Sequence, residues 1–238
     1  MLDTLRSFIV SSELIRNPDR YRYSDIGFMI LHQIVERASG QTFDEFLERE
    51  FYEPMGLTQT GFNPIQNGVD VMSIAPTEYD QRFRNSLVWG EVHDRNAAVF
   101  GGVSGHAGLF SNVRDLAKMM SMFLNGGEYG GRRYLSEEVL GTFNSRLFSN
   151  NRRGLGWDKK GGKYAVASSF ASDQSFGHTG FTGTMVWADP EEDLIFVFLS
   201  NRIYPDAANN RISEYSIRKH MHDSLYESIN LQRDLKLN

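Results

Sequence analysis

Two short segments of the sequence carry side chains that could move protons or hold a substrate. In residues 23–25 (Tyr-Ser-Asp), a tyrosine stands just before an apolar helical pattern. A tyrosine beside a helix N-terminus can act as an acid or a base if its pKa falls well below about 10. The alternative is an aromatic ring that packs beside an N-cap residue, and the segment alone leaves both interpretations open.

The second segment is residues 177–180 (Gly-His-Thr-Gly), which precede a predicted strand. A polar side chain, a hydroxyl and a glycine that enter an edge strand can line a cleft, because the glycine lets a substrate backbone approach closely. The exposed N–H groups of such a strand could hold a carbonyl oxygen or an oxyanion. The alternative is an ordinary turn that carries a surface histidine, His178.

A metal or cofactor site has weaker support from the residue pattern. His93, Asp94 and His106 have side chains that suit zinc, but the His-Glu-x-x-His pattern is absent, so we predict no metal. The glycines of residues 102–108 do not follow the Gly-x-Gly-x-x-Gly spacing of dinucleotide-binding loops. We therefore predict no cofactor.

The elements that must position these segments begin with a helix. Ser24 or Asp25 can serve as its N-cap, and Gly40 ends it. Apolar residues occupy nearly all sides of this helix, which predicts that it is buried. Residues 42–45 contain a capping box for a second helix, which we expect to end at Pro54.

The middle of the chain predicts loops followed by two helices. Residues 56–110 are typical of long loops with short extended pieces, and a loop region of this length in a compact domain is often functional. A helix with an apolar face then starts at Asn112, and a shorter helix starts at Ser136.

The last third of the chain changes to strand-like patterns. Residues 184–188 and 194–199 predict two strands joined by an Asp-Pro turn, and the second strand is almost wholly apolar. A final helix is predicted near residues 209–229. It carries His220 and His222, which we expect at the surface.

These patterns predict an α+β protein with an antiparallel sheet flanked by helices and a mainly helical and loop region. We expect one domain over residues 1–238. Its helical and loop part lies in residues 21–150, and its sheet and C-terminal helix lie in residues 151–238.

Composition excludes several classes of protein. The chain has 238 residues, with 25 Lys and Arg against 30 Asp and Glu, and no cysteine. The net charge of -5 excludes a general basic surface for nucleic acid, and the lack of cysteine excludes disulfides and thiolate sites. No stretch approaches the ~20 apolar residues of a membrane span. We predict no nucleic-acid partner and no membrane span.

Taken in order, residues 23–25, 102–111 and 177–184 resemble the serine β-lactamase and penicillin-binding-protein superfamily. The likeness is to class C β-lactamase-like serine hydrolases, including D-Ala-D-Ala carboxypeptidase-like members, and it covers the chain from about Tyr21 to the last helix. It implies a β-lactamase/transpeptidase-like fold and acyl transfer on a peptide, β-lactam or ester carbonyl. It also implies a small-molecule or peptidoglycan-peptide substrate and a periplasmic or cell-envelope location.

The resemblance implies roles for individual residues. Tyr23 would be the catalytic tyrosine that shuttles a proton. Thr179, Gly180 and Phe181 would bind substrate from the cleft-lining strand, with the Phe181 N–H as one oxyanion donor. His106 would also bind substrate.

Two further catalytic positions depart from the family pattern. Asp25 stands where the family has asparagine, so an amide donor is lost and a charge is gained. His178 stands where the family more often has lysine, which weakens a permanent positive charge for a substrate carboxylate. We therefore expect weak β-lactam hydrolysis.

The family nucleophile is a Ser-x-x-Lys motif that should lie well before the tyrosine. None of Ser7, Ser11 and Ser12 has a lysine three positions later, so no such motif precedes Tyr23. Residues 216–219 (Ser-Ile-Arg-Lys) match it, but we predict them inside the C-terminal helix, where the neighbouring N–H groups are already used. We expect this match not to be catalytic.

The chain therefore looks like a C-terminal portion of a serine hydrolase whose N-terminal part is missing, and we expect it to be inactive as it stands. One alternative is a non-catalytic module for cell-wall peptide binding or assembly. Another is an active hydrolase that uses Ser216 or another serine. In the family fold, N-terminal strands pair beside the C-terminal strands, so residues 194–199 would carry an unpaired apolar edge. We expect self-association, or docking with a missing N-terminal segment.

Overall fold

Two compact units make up the chain in the computed structural model, Met1–Ser111 and Asn112–Asn238. The structure describes residues 7, 9–13, 21–146, 148, 151–162 and 165–237. Helices and antiparallel strands occur in both units, which confirms the α+β class. Within the described ranges, no helix is both long enough and apolar enough to cross a membrane.

Two helices between residues 26 and 47 start where local sequence signals predict, and the first of them also ends where predicted. Helix α1, Ile26–Ser39, begins after Asp25 and ends at Gly40. Gly40 has φ 70°, a left-handed conformation that glycine adopts without strain at helix ends. Helix α2, Phe43–Leu47, begins with the expected capping box at Thr42.

The prediction that Pro54 ends the second helix is wrong. Helical structure continues from α2 through a π turn at Glu48–Tyr52 and a last turn, α3, at Glu53–Met55. Proline is accepted at the start of a helical turn, where its missing N–H removes no necessary bond. The helical segment ends instead at Gly56, which has φ 66°.

The prediction that helix α1 is buried is also wrong. Met29 and His32 are its buried residues, and the His32 ring stacks on Phe43 with 4.5 Å between the ring centroids. Five of its other apolar side chains are 38 to 54% exposed. They are Ile26, Phe28, Ile30, Leu31 and Ile34. An apolar sequence favours burial, but a helix is buried on all sides only if neighbouring elements pack against each side.

A hairpin and a short helix organise the loops that follow. Strands β1, Pro76–Asp80, and β2, Ser86–Trp89, pair antiparallel. A 3₁₀ turn at Val71–Ser73 precedes the hairpin, and helix α4, Arg95–Val99, follows it. Asp94 starts α4, because its carboxylate accepts a backbone N–H of the first turn at 2.8 Å.

Asp80 holds the β1–β2 turn from a position that is 2% exposed. Its carboxylate accepts the backbone N–H groups of Arg82, Phe83 and Arg84 at 2.9 to 3.1 Å. Burial alone would raise the pKa of Asp80, but these bonds outweigh it and lower the pKa to about 2. The carboxylate therefore stabilises the folded state above its ordinary pKa, and this contribution is lost as the pH falls toward 2.

We expect Asp80→Asn to lower the free energy of unfolding by about 2 kcal/mol at pH 7. The reason is that a neutral amide replaces a buried carboxylate that accepts three hydrogen bonds. Urea unfolding followed by circular dichroism measures the change. Asp70→Asn is the control, since Asp70 is exposed and its carboxylate accepts the Met72 N–H at 3.0 Å. Equal losses in both variants would contradict the special role of Asp80.

A four-stranded antiparallel sheet lies at the centre of the second unit, in the order β5-β6-β7-β8. The strands are β5 Asp158–Lys159, β6 Phe176–Thr179, β7 Met185–Asp189 and β8 Leu194–Phe198. The two strands predicted on either side of the Asp-Pro turn are β7 and β8, which confirms that hairpin. Strand β5 pairs with Phe176 and Gly177, so β6 extends beyond it at His178 and Thr179.

The described part of the second unit contains four helices. They are α5 Val113–Leu124, α6 Glu137–Asn144, α7 Arg211–Glu214 and α8 Ile217–Leu237. Of these, α5 and α8 pack on this sheet. A short hairpin pairs β3, Glu128–Tyr129, with β4, Arg132–Arg133. The side chains of Asn112 and Ser136 accept backbone N–H groups at the starts of α5 and α6, as predicted. Sequence patterns grouped residues 112–150 with the helical part, whereas in the structure Met120 of α5 packs against Phe176 of the sheet.

The expectation that His222 lies at the surface is wrong. His222 is 0% exposed, and its ring stacks on Phe196 of β8 with 4.6 Å between centroids. The Trp187 ring lies against its edge, and its Nδ1 accepts the Ser168 N–H at 3.1 Å. The neutral ring therefore carries its proton on Nε2. His220 is exposed, as expected.

Strand β8 is the last strand of this sheet within the described part of the chain. Its five residues are all partly buried, because Phe196 packs on α8 and Ile195 packs on the side of α5. The two faces of β8 are thus covered, and its outer side forms the margin of the sheet. Self-association through this edge stays a prediction.

Candidate active site

Tyr23 and Asp25 stand at the N-terminus of helix α1. Tyr23 is 59% exposed. The Asp25 carbonyl accepts the N–H groups of Phe28 and Met29, which starts the helix, while its carboxylate makes no capping bond. The Ser24 hydroxyl accepts the Ile26 N–H at 3.3 Å. A carboxylate at this end of a helix is favoured by the positive end of the helix dipole.

His106 lies in a hydrogen-bonded chain in the same unit. Its Nδ1 is 2.8 Å from the Ser104 hydroxyl, and its Nε2 is 2.9 Å from the Asp94 carboxylate. The bond to His106 lowers the pKa of Asp94, against the opposing effect of burial. The His106 side chain is only 3% exposed, so it lies inside this chain of bonds. A substrate contact by His106 stays a prediction.

Gly105 brings this loop against helix α1. A Cβ atom at Gly105 would lie 2.4 Å from the Phe28 carbonyl oxygen and 3.2 Å from the His32 Cβ. No side chain fits in that space, so the glycine permits the close contact. The structure thus joins the segment that contains His106 to the helix that starts at Asp25.

The structure places His93 and His106, two of the residues with side chains that suit zinc, against different carboxylates. His93 Nδ1 lies 2.8 Å from Glu78 Oε1, while His106 Nε2 lies at Asp94. The two histidines therefore serve different carboxylates. Among the residues that the structure describes, no group of three or more candidate ligands could hold a metal ion.

His178 lies at the end of strand β6, in the second unit, rather than before a strand as the sequence predicted. Its Nε2 is 2.7 Å from Arg153 Nη1, and its Nδ1 is 2.8 Å from the Thr179 carbonyl oxygen. A guanidinium can only donate, so Nε2 is the acceptor and Nδ1 carries the proton. Burial, together with the Arg153 charge, lowers the pKa of His178 and keeps the ring neutral.

Sequence reasoning missed Arg153, which adds a permanent positive charge beside the neutral His178. Arg152 holds Asp158 through two bonds of 2.5 and 2.9 Å, and Arg153 Nε lies 3.6 Å from the same carboxylate. Asp158 is paired with Gly177 across β5 and β6, so the sheet itself fixes this cluster. No local signal in the sequence indicated Arg153, because its contact with His178 joins positions 25 residues apart.

Close contacts and hydrogen bonds fix the backbone of the turn after β6. The Gly180 N–H donates to the Thr184 carbonyl at 2.9 Å, and a Cβ at Gly180 would lie 2.2 Å from Thr184 Oγ1. Arg218 Nη1 donates to the carbonyls of both residues at 3.3 and 3.2 Å. Arg202 donates to the Phe181 carbonyl at 2.9 Å and stacks over the Phe181 ring, which is 63% exposed. Two arginines thus fix the backbone around Gly180 and Phe181.

Ser216 does not lie in the middle of a helix, so the reason given against it is wrong. Helix α7 ends at Glu214, Ser216 has φ 49°, and α8 begins at Ile217. The left-handed conformation at Ser216 breaks the predicted helix in two. Lys219 Nζ donates to the Asp223 carboxylate at 2.6 Å.

We expect Arg153→Gln to raise the pKa of His178, because the substitution removes a cation that disfavours the imidazolium. An NMR titration of the imidazole C–H signals from pH 8 to pH 4 measures it. Arg133→Gln is the matched control, since Arg133 is exposed and pairs with Glu128. An unchanged His178 titration in Arg153→Gln would contradict the effect of the Arg153 charge on this pKa.

The expected site residues fall into the two units. Tyr23, Asp25 and His106 lie in the first, and the segment 178–181 lies in the second. A family model described as Beta-lactamase matches residues 3–217. The chain belongs to the β-lactamase family. Membership of this family confirms the resemblance drawn from the sequence motifs and the β-lactamase-like fold that it implied.

Curated relatives in the β-lactamase family extend well beyond the matched region. A protein of Escherichia coli O157:H7 named "Putative D-alanyl-D-alanine carboxypeptidase" is 39% identical over 203 residues, which are 80% of this chain and 47% of that protein. A protein of the same name from Salmonella schwarzengrund is 37% identical over 208 residues, 82% of this chain and 48% of that protein. The chain thus spans about half the length of these relatives.

A solved structure shows the same fold at lower identity. The octameric penicillin-binding protein homologue from Pyrococcus abyssi superposes with a TM-score of 0.58 and 21% identity, over 86% of this chain and 43% of that one. At this identity the likeness extends to the fold of the β-lactamase family and no further.

Proposed function

We propose that this chain supplies the substrate-binding and proton-transfer part of a serine hydrolase centre for peptides that end in D-alanyl-D-alanine. The observation that carries the proposal is the end of β6, where Arg153 lies 2.7 Å from a neutral His178. A guanidinium there suits the C-terminal carboxylate of such a peptide. The names of the Escherichia coli and Salmonella relatives support the same substrate class.

In the proposed reaction, a serine hydroxyl attacks the carbonyl of the penultimate residue to give a tetrahedral intermediate. The C–N bond then breaks, which releases the terminal D-alanine and leaves an acyl-enzyme that water hydrolyses. The Phe181 N–H, in the turn held by Arg202 and Arg218, stabilises the oxyanion. Arg153 orients the substrate carboxylate. Tyr23 transfers the serine proton to the leaving amine.

The serine itself is the open element of the proposal. No Ser-x-x-Lys motif precedes Tyr23 in the 238 residues, so we expect this chain, as it stands, to bind the peptide without cleaving it. The lysine of the other match, Lys219, is held by Asp223. We therefore do not assign the nucleophile to Ser216.

The test is an NMR titration of the ¹⁵N-labelled chain with acetyl-D-Ala-D-Ala and with its L,L stereoisomer. We expect saturable shifts of the Thr179 and Phe181 amide signals with the D,D peptide alone, and their loss in Arg153→Gln but not in Arg133→Gln. The same sample is treated with a fluorescent penicillin and examined by mass spectrometry, with no labelled serine expected.

The outcomes separate the alternatives. If neither peptide shifts these signals, the substrate class is wrong. A penicillin adduct on Ser216 would support an active hydrolase that uses this serine, and an adduct on any serine would overturn the expected inactivity. Binding of acetyl-D-Ala-D-Ala that does not depend on Arg153 would favour a peptide-binding module with a different recognition surface.

A further inference from the structure

A cavity of about 280 Å³ lies in the second unit, lined by residues that have no role in the proposed reaction. Its lining consists of Asn144, Ser145, Arg146, Lys159, Asp173 and Gln174. Lys159 is 4% exposed, whereas Arg146 and Asp173 are exposed. The lysine therefore lies at the closed end of the cavity, and the other two charges lie near its mouth.

The buried ammonium of Lys159 has uncharged partners. Its Nζ donates to Asn144 Oδ1 at 3.0 Å and to the Gln174 carbonyl oxygen at 2.8 Å, and it lies 5.8 Å from the centre of the Phe176 ring. Within the described residues, no carboxylate lies at salt-bridge distance from this nitrogen. A buried cation normally has a paired anion, because burial without one is costly.

Two carboxylates, Asp173 and Asp189, raise the pKa of Lys159 by long-range electrostatic attraction without a direct contact. Asp189 is already occupied by Ser172 and Tyr226, and Asp173 lies at the mouth of the cavity. Burial and the charge of Arg146 outweigh both and lower the pKa of Lys159 to about 8. At pH 7 the cavity thus presents two cations and one carboxylate, a surplus of one positive charge.

We propose that this cavity binds the carboxylate group of a small molecule, with Lys159 and Arg146 as its cationic partners. A single surplus positive charge suits a monoanion better than a phosphate dianion. A volume of about 280 Å³ is at the lower end for ligand pockets, which suits a molecule of amino-acid size. Asp173 at the mouth would attract the ammonium group of a free amino acid.

The test is a titration of the ¹⁵N-labelled chain at pH 7 with D-alanine, acetate and inorganic phosphate in separate series. We expect saturable shifts of the side-chain amide of Asn144 and of the backbone amides of Ser145 and Gln174 with D-alanine. Tighter binding of D-alanine than of acetate would identify an amino acid as the ligand, and equal binding would identify the carboxylate alone. Tighter binding of phosphate would overturn the assignment.

Variants separate this site from non-specific anion binding. We expect Lys159→Met and Arg146→Gln each to weaken D-alanine binding about tenfold or more, since each removes a charged hydrogen-bond partner. Lys118→Met, which alters a lysine of α5 outside the cavity lining, should leave the affinity unchanged. Arg146 is exposed, so Arg146→Gln provides the test even if Lys159→Met fails to fold.

The pH dependence gives a second readout. Binding should weaken as the pH rises from 7 to 9, because Lys159 loses its proton near pH 8. The other charged groups that act on Lys159 are Arg146, Asp173 and Asp189. The absence of saturable shifts at the cavity lining, or wild-type affinity in both cavity variants, would overturn the proposal.

Discussion

Asp189→Ala is expected to lower the free energy of unfolding by about 4 kcal/mol, enough to remove a large part of the stability of an ordinary domain. Asp189 is 1% exposed at the end of β7. Its carboxylate accepts the Ser172 N–H at 2.7 Å, the Ser172 hydroxyl at 2.5 Å and the Tyr226 hydroxyl at 2.6 Å. The carboxylate also accepts the Glu191 N–H at 3.2 Å, so alanine would leave four donors without this acceptor.

The same carboxylate explains the direction of two pKa changes. Burial would raise the pKa of Asp189, but the hydrogen bonds from Ser172 and Tyr226 outweigh it and lower the pKa. Burial and the bond to Asp189 raise the pKa of Tyr226. The tyrosine thus stays a neutral donor on α8, and Asp189 joins this helix to the sheet.

Urea unfolding followed by the fluorescence of the three tryptophans, of which Trp187 lies buried in the same strand as Asp189, measures the loss. Asp189→Asn keeps an oxygen acceptor and should lose about half as much. Asp193→Asn is the matched control: Asp193 is exposed in the same hairpin, at φ 48°, a conformation that asparagine also adopts. In a Tyr226→Phe background the effect of Asp189→Ala should shrink, because one donor is already gone. A loss below about 1 kcal/mol for Asp189→Ala would contradict the account.

The second large effect is acid destabilisation through His222. Burial lowers the pKa of His222 from 6.5 to about 4. Between these two pH values the unfolded chain binds a proton at this residue and the folded chain does not. The contribution of neutral His222 to the free energy of unfolding is therefore complete above pH 6.5. It falls as the pH drops toward 4, by up to about 3 kcal/mol in total.

We expect His222→Asn to be less stable than the wild type at pH 7, because it loses the stack on Phe196, yet to lose less stability between pH 6.5 and pH 4. Asparagine keeps an oxygen that can accept the Ser168 N–H. The control is His220→Asn, an exposed position on the same helix that should keep the wild-type slope. A smaller slope from His178 remains in every variant, since its pKa is also lowered. The same slope in His222→Asn and wild type would contradict the prediction.

Local signals explain what the sequence predicted correctly. Gly40, the capping box at Thr42 and the N-cap at Asn112 act within one helical turn, so their effects can be read from adjacent residues. The β7–β8 hairpin likewise follows from an apolar run next to an Asp-Pro turn. The motif order predicted the family for a similar reason, because each motif is a short segment of defined residue types.

The misses depend on contacts between residues far apart in the chain. His222 is buried because Phe196, 26 positions earlier, stacks on it, and helix periodicity says nothing about that partner. Arg153 reaches His178 across 25 positions, through a sheet pairing that no local pattern encodes. The helix break at Ser216 needs a left-handed serine, which has no strong sequence signature.

The exposed apolar side of helix α1 has a practical consequence for all of these stability measurements. The exposed apolar side chains from Ile26 to Ile34 can bind hydrophobic reporter dyes such as ANS while the chain is still folded. In a dye-based melting curve, the folded chain would then already give strong dye fluorescence. The rise in fluorescence on unfolding would therefore be smaller than the true extent of unfolding. Intrinsic fluorescence avoids this artefact, since Trp187 is 1% exposed in the folded chain and becomes solvated only when the sheet opens.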